Sequence, residues 1–268
     1  MTPPSITVIT LSRNRVTLLS RAIASVQAQD FTGRFEHLIV IDGCHDTRRF
    51  LERLPRPSRP LLRWQFVPRD PDTPGGAPRC AVLRNLAIDM AWGERIAMLD
   101  DDNRFAAHHL SSLWHLACDS GAKAVHSYRF LFWRNGKAFR LPVVPWIPDP
   151  DLSRHWHAKL VDRAVLRLGD NLMCDCADPF GHPDPVRTID TSEWLLDASL
   201  LREVRFRTEY DAAEISSPAG MVCEDGKLLD DLARRRVRVE TTGLPTLDYF
   251  LGGYSAPAYL RPGTVTVS

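Results

Sequence analysis

Arg95-Ile-Ala-Met-Leu99 runs directly into Asp100-Asp-Asp-Asn103, and the reading of the whole chain turns on this junction. The first five residues have the length and apolar character of a buried strand. The three carboxylates that follow repel one another, and a folded protein tolerates that best when a cation sits among them. Carboxylate oxygens are hard ligands suited to Mg²⁺ or Mn²⁺, ions usually completed by substrate phosphates. In an extended segment Asp100 and Asp102 point to the same side. One of them can then bind sugar hydroxyls while the other reaches the metal. The plainer reading, a solvated acidic turn, is weakened by the apolar strand immediately before it.

Outward from this junction, the first half alternates strand and helix. Ile6 to Leu11 is a β-branched strand, and Thr17 to Gln29 carries Leu18, Leu19, Ala22, Ile23 and Val26 on one helical face. His37 to Asp42 and Leu61 to Val67 read as further strands, and a helix runs from about Arg79 to Trp92. Such alternation predicts a parallel α/β sheet whose ligands sit beyond the carboxyl ends of the strands, where Asp42 and Asp100 to Asp102 lie. The second half changes character. Val125 to Phe139 reads as a hairpin turning at Asn135-Gly136, and Leu141 to Asp190 as long loops with short helices. Ser192 to Asp197 is strand-like, Leu200 to Val204 a short helix, Glu224 to Arg235 a longer one, and Arg236 to Thr241 a strand. One mixed α/β domain over residues 1–268 is expected. Within it a nucleotide half reaches to about 125, and a smaller acceptor half follows from about 126.

Five segments carry a resemblance. Val8-Ile-Thr-Leu-Ser-Arg-Asn14 resembles a first strand and loop, and Ile41-Asp42-Gly-Cys-His-Asp46-Thr47 an Asp-Gly-x-x-Asp segment. Arg84-Asn85-Leu-Ala-Ile88 resembles an Arg-Asn helix, and Met98-Leu-Asp100-Asp-Asp102-Asn103 an Asp-x-Asp motif. Cys223-Glu224-Asp225-Gly-Lys-Leu228 resembles a Glu-Asp motif that opens a helix. In this order, over residues 5 to about 236, they resemble family 2 glycosyltransferases of the GT-A fold: a mostly parallel central sheet flanked by helices, with a smaller mixed second half. The final thirty residues match less well.

The resemblance implies inverting transfer from a nucleoside-diphosphate sugar, a UDP-sugar favoured, to an acceptor hydroxyl. Asp42 would bind the nucleobase edge, Asp100 the ribose, and Asp102 a Mn²⁺ or Mg²⁺ ion that neutralises the diphosphate. Asp225 would be the general base, with Glu224 orienting the acceptor or tuning that base. Thr10, Leu11, Arg13, Arg84, Asn85 and Asp101 would face the donor; Trp194 is either a platform that stacks on a sugar or simply core. Physics supports the division of labour. A Lewis acid stabilises charge on the departing diphosphate, and a hydroxyl is a poor nucleophile until a positioned carboxylate takes its proton. The dipole of the helix that Glu224 and Asp225 open favours their ionised forms.

Other features carry less. The Asp72 to Pro78 loop is either a phosphate-approaching segment or an ordinary surface loop. Phe132, Trp133, Trp146, His155, Trp156 and His157 are either an acceptor platform or second-half core. Cys174-Asp-Cys176 is too tight for a zinc knuckle. The last histidine is His182, so a late histidine metal ligand is missing, and Asp248 or a water would have to replace it. Tyr249 to Ser255 is either a lid hinged at Gly252 and Gly253 or a closing strand.

Composition narrows the partners. There are 34 Lys+Arg against 33 Asp+Glu and a net charge of +1, so no nucleic acid partner is expected. Six cysteines are sparse for 268 residues and suggest a reducing, cytoplasmic setting. The first residues lack the pattern of a signal peptide, and no apolar run approaches the ~18 residues of a membrane span. A soluble small-molecule or saccharide acceptor is therefore expected; oligomeric state has no sequence signal. The competing readings are a sugar nucleotidyltransferase, which usually carries a Gly-rich basic segment that Thr10 to Asn14 is not, and a non-catalytic sugar-nucleotide or glycan-binding module.

Overall fold

The computed structural model describes residues 5–55, 59–70, 72, 75–216 and 223–252. In chain order the elements are β1 (Ile6–Ser12), α1 (Val16–Gln27), β2 (Phe35–Asp42), α2 (His45–Arg53), β3 (Leu61–Val67), α3 (Ala77–Met90), β4 (Arg95–Met98), β5 (Arg104–Phe105) and α4 (His109–Ser120). Then come β6 (Ala124–Phe132), α5 (Pro150–Asp162), β7 (Leu172–Met173), β8 (Trp194–Asp197), α6 (Ala198–Glu203), α7 (Ala212–Ser216), α8 (Glu224–Arg234) and β9 (Val239–Phe250). A 3-10 turn, Thr191–Glu193, leads into β8.

Among the described residues one continuous sheet runs in the order β3-β2-β1-β4-β8-β6-β9-β5, with β7 on β6. β3, β2, β1 and β4 are parallel, as the strand–helix alternation predicts. β8 turns antiparallel against β4 and β6, β9 runs parallel to β6, and β5 antiparallel to β9. β1 and β2 are buried almost throughout because helices cover both faces, hence their unbroken apolar runs. Ile9, Leu38 and Val40 face Leu83 and Ile88 of α3 and Leu228, Leu229 and Leu232 of α8. Ile6 and Val8 face Ala22 and Val26 of α1 and Leu110 and Leu113 of α4. Each buried leucine contributes about 1.5–3 kcal/mol. The carboxyl ends of β1, β2 and β4 thus open on one edge of the sheet, and the chain entering antiparallel β8 arrives at that same edge.

The second half departs from its sequence reading in instructive ways. The Asn135-Gly136 turn is present, with Gly136 at φ +85°, but the returning strand shrinks to a single bridge between Phe132 and Ala138. β6 has β8 and β9 as its neighbours instead, and β9 runs to Phe250 rather than ending at Thr241. Tyr249 and Phe250 are therefore a closing strand paired with Leu131 and Phe132; Gly253 to Ser255 lie outside the described residues, as do Thr73 and Pro74 of the expected phosphate loop. α5 is longer than expected. Its buried face includes Ser153 and His157, which break the apolar pattern, while the Asp149 side chain accepts the Leu152 N–H as its cap. α4 buries His109 beside Leu110, Leu113 and Ala117, whereas α2 buries only Thr47 and Leu51.

Candidate active site

The three aspartates after β4 divide into different roles. Asp100 accepts from Arg84 Nη2 at 3.0 Å, and its backbone N–H donates to Ser192 Oγ at 3.2 Å. Asp101 turns under the edge, accepting from Ser12 Oγ at 2.7 Å and Arg15 Nη1 at 3.0 Å. It is buried and tied to β1, which corrects its expected place against the donor. Asp102 returns to the open side and accepts from Arg15 Nη1 at 2.9 Å, while Arg21 Nη2 donates to its carbonyl at 2.7 Å. Withdrawal from water pushes the Asp102 carboxyl up to about 6, against the pull of Arg15. The same withdrawal pushes Asp100 well above the usual carboxylate range, opposed by Arg84 and reinforced by Asp190 and Asp102.

Asp100 and Asp102 each keep one arginine partner and offer further hard oxygens. They fit a divalent ion whose remaining ligands come from a diphosphate. Among the described residues no group of three His, Cys, Asp or Glu side chains is arranged to hold a metal alone. Asp248, the carboxylate named in place of the missing histidine, accepts from Arg104 Nε and Nη2 at 2.9 and 2.6 Å.

Arg84 joins the aspartates to the second acidic motif. Buried on α3, it donates Nη1 to Thr191 Oγ1 at 2.8 Å and lies 3.3 Å from Glu224 Oε1. Glu224 and Asp100 hold the guanidinium charged against the cost of burial. Glu224 is pushed up by burial, opposed by Arg84 and reinforced by Asp225. Asp225 follows in the first turn of α8, half-buried, with Oδ1 accepting the Gly226 N–H at 2.8 Å.

At the end of β2 the Asp42 carboxylate is gripped by two residues outside the sequence reading. Arg69 Nη1 donates to one oxygen at 2.5 Å, and Arg79 Nε and Nη2 donate to the other at 3.0 and 2.8 Å. Other expected residues lie elsewhere. Thr10 turns its hydroxyl inward to His37 Nε2 at 2.9 Å, and Leu11 packs against the core. Arg13 is half-buried beside the edge, and its backbone N–H bonds Asp101. Asn85 spends both ends of its amide on the backbone of Phe206, at 2.8 and 3.0 Å, so it braces α3 rather than facing a donor. Trp194 is 1% exposed within the core, with no face to offer a sugar. Asn85 and Trp194 thereby depart from their expected places, because α3 and β8 each bury a second face that the motifs alone do not reveal.

The largest group outside the sequence reading centres on Arg129 of β6. Its Nη2 donates to Asp175 Oδ1 at 3.1 Å, and its Nη1 lies 3.1 Å from Asp190 Oδ2 and 3.7 Å from Glu193 Oε2. The guanidinium sits 5.1 Å from the rings of both Trp146 and Tyr249. Burial and the Asp175 charge push the Glu193 carboxyl well above its usual range. A capping box gives Asp190 and Glu193 their local geometry. That box, written Asp-x-x-Glu just before an apolar strand, is the signal that a closer reading could have used. Trp133, Trp146 and Trp156 pack partly buried against the second-half core, the plainer of the two readings for the aromatic segment.

The sequence profile of glycosyl transferase family 2 matches residues 7–159, a stretch that includes Asp42, Arg84 and Asp100 to Asp102. The chain belongs to glycosyl transferase family 2. The structure of this family 2 chain is similar to that of S. aureus TarS 1–349, with a TM-score of 0.60 and 15% identity over 92% of this chain and 60% of that one. The same protein in complex with UDP-GlcNAc gives 0.58, 15%, 92% and 58%. The mannosyltransferase PcManGT from Pyrobaculum calidifontis, in complex with GDP-Man and Mn²⁺, gives 0.55, 18%, 96% and 59%. The chain spans about three fifths of the length of these neighbours. No relative is found among curated proteins. The α/β architecture expected from the five motifs, that of the GT-A glycosyltransferases, is the one the family 2 chain adopts. Among its described residues, no helix is long and apolar enough to cross a membrane.

Proposed function

We propose that this family 2 chain transfers a sugar, with inversion, from a nucleoside-diphosphate sugar to an acceptor hydroxyl. A UDP-sugar is the favoured donor and a soluble small molecule or saccharide the favoured acceptor. The observation that carries this reading is Arg84, whose guanidinium meets both Asp100 and Glu224 and so brings the Asp-x-Asp and Glu-Asp motifs together at one cation. The neighbours in complex with UDP-GlcNAc and with GDP-Man and Mn²⁺ support the donor class. A non-catalytic binding module has no use for the second motif, and the family match speaks against a nucleotidyltransferase. Six free cysteines fit a cytoplasmic site of action.

In this reading Asp42 accepts from the nucleobase edge while Arg69 and Arg79 fix its carboxylate. Asp100 accepts from ribose hydroxyls. Asp102, with Asp100 beside it, would hold a divalent ion, which supplies charge neutralisation for the departing diphosphate. Asp225 takes the proton of the acceptor hydroxyl as that oxygen attacks the anomeric carbon. The bond from that carbon to the diphosphate oxygen breaks on the opposite face, and the proton stays on the Asp225 carboxyl. Arg84 holds the neighbouring Glu224 in a charge-assisted pair, which leaves Asp225 as the carboxylate of the motif that is open to the acceptor.

Calorimetric titration with UDP, GDP and dTDP, each with Mn²⁺ and then with EDTA, tests the reading. Binding of one diphosphate that disappears in EDTA is expected. Folded protein that binds none of the three would overturn it.

A further inference from the structure

Asp190 has no part in the reading above, yet it sits in the middle of the site. β8 runs antiparallel to β4, so the residues leading into β8 arrive where β4 ends. Thr191 there bonds Arg84, and Ser192 accepts the backbone N–H of Asp100. Asp190, one residue earlier, spends Oδ1 on the Ser192 N–H at 2.9 Å and has Oδ2 at 3.1 Å from Arg129. Each carboxylate oxygen accepts two hydrogen bonds. The capping box also brings the Glu193 N–H to this side chain, which leaves one place on the carboxylate.

Among the carboxylates around Arg129, Asp190 is the one with an opening. Its side chain is 11% exposed, while those of Asp175 and Glu193 are fully enclosed. Its charge is felt by Asp100, Asp102 and Glu224 on the walls of the recess, and it feels that of Asp225. A further negative charge in so acidic a recess is costly, and capping the 3-10 turn does not require it, since Asn, Ser or Thr would cap as well. Arg129, 3.1 Å from Oδ2, answers part of that charge, and the partly exposed side of the carboxylate is left open to a ligand. In the proposed reaction the transferred sugar must lie between the diphosphate, at Asp102, and the base, Asp225, and Asp190 lies among these groups.

We propose that Asp190 accepts a hydrogen bond from a hydroxyl of the sugar being transferred, and so selects among nucleotide sugars that differ at that hydroxyl. The inference rests on the function proposed above. A charged acceptor in a recess discriminates strongly, because a sugar lacking the hydroxyl leaves the carboxylate without its partner.

The test compares wild type with Asp190→Asn and Asp190→Ala in the presence of Mn²⁺. The probes are UDP, GDP, UDP-glucose, UDP-galactose, UDP-N-acetylglucosamine and GDP-mannose. The Asn variant keeps an oxygen for the Ser192 N–H, so the turn survives, and thermal melting confirms that each variant is folded. The nucleotide sugar that wild type binds best should weaken about tenfold or more in the Ala variant and less in the Asn variant. The matching diphosphate should stay within about twofold, and the spread of affinities across the sugars should narrow. Equal losses for sugar and bare diphosphate, or no loss for either, would overturn the inference while leaving the proposed function standing. A sugar-independent loss confined to the acceptor's KM would do the same. Wild type that binds no probe would overturn the proposed function, and this inference with it.

Discussion

Arg84 Nη1 lies 3.3 Å from Oε1 of Glu224, a contact between the first turns of α8 and the middle of α3. The same guanidinium reaches Asp100 at 3.0 Å. One buried cation thus couples the stability of the fold to the assembly of both acidic motifs. Replacing Arg84 with Ala leaves Glu224 enclosed and unpaired, and breaking a buried pair in this way costs about 3–5 kcal/mol. Urea unfolding of Arg84→Ala should show that loss, together with loss of diphosphate binding. Unchanged stability would mean the contact is not made.

Asp225→Asn keeps the size of the side chain and an oxygen for the Gly226 N–H, but it cannot take a proton. Transfer should fall by about 10²–10⁴-fold, with diphosphate affinity within about twofold of wild type. Initial rates with any accepted donor and acceptor measure the first, and calorimetry the second. Transfer within tenfold of wild type would remove Asp225 as the base.

Asp102→Ala removes the carboxylate expected to hold the divalent ion. Mn²⁺ should no longer strengthen diphosphate binding in this variant, and EDTA should have no further effect. A Mn²⁺ titration indistinguishable from that of wild type would move the ion elsewhere.

Asn85 separates bracing from binding. Asn85→Ala leaves the N–H and carbonyl of Phe206 without their amide partner, at a cost of about 1–3 kcal/mol. The melting temperature should fall while diphosphate affinity holds. The reverse pattern would return Asn85 to the donor site.

His37 supplies a pH-dependent term. It is fully buried in β2, and burial pushes its imidazole from the ordinary 6.5 down to about 3. The folded protein keeps it neutral, whereas the unfolded chain takes up a proton as pH falls through 6.5. Stability from this group is therefore lost on acidification between about 6.5 and 3, reaching about 2 kcal/mol by pH 5. His37→Gln lacks this term. The stability difference between wild type and variant should shift by about 2 kcal/mol against wild type from pH 7 to pH 5, read by urea unfolding. A constant difference would mean that His37 is not held neutral.

How far the sequence could be read follows from what each feature depends on. The parallel strands β1 to β4, and the helices α1, α3 and α8, were legible because each is written over a few adjacent residues: β-branched apolar runs, or leucines at helical spacing such as Leu228, Leu229 and Leu232. The order of the acidic motifs was legible for the same reason, and with it the family. α4 and α5 were not, because His109 and Ser153 bury polar atoms that find partners only in three dimensions. His109 Nδ1 meets Thr246 Oγ1 at 2.7 Å across the α4–β9 contact, a pairing that no local pattern encodes.

The sequence alone determined the class of fold, the edge of the sheet at which the motifs end, and the carboxylates gathered there. Tertiary structure alone decided what each of those side chains faces. It turned Asp101 under β1, tied Asn85 to Phe206, sealed Trp194 in the core, and set Asp190 against Arg129 at the centre of the recess. The physical reason is the range of the forces involved. Backbone conformation answers to neighbours in sequence, whereas burial and charge pairing answer to neighbours in space, and a long-range sheet such as β4-β8-β6-β9 brings together residues that the chain keeps far apart.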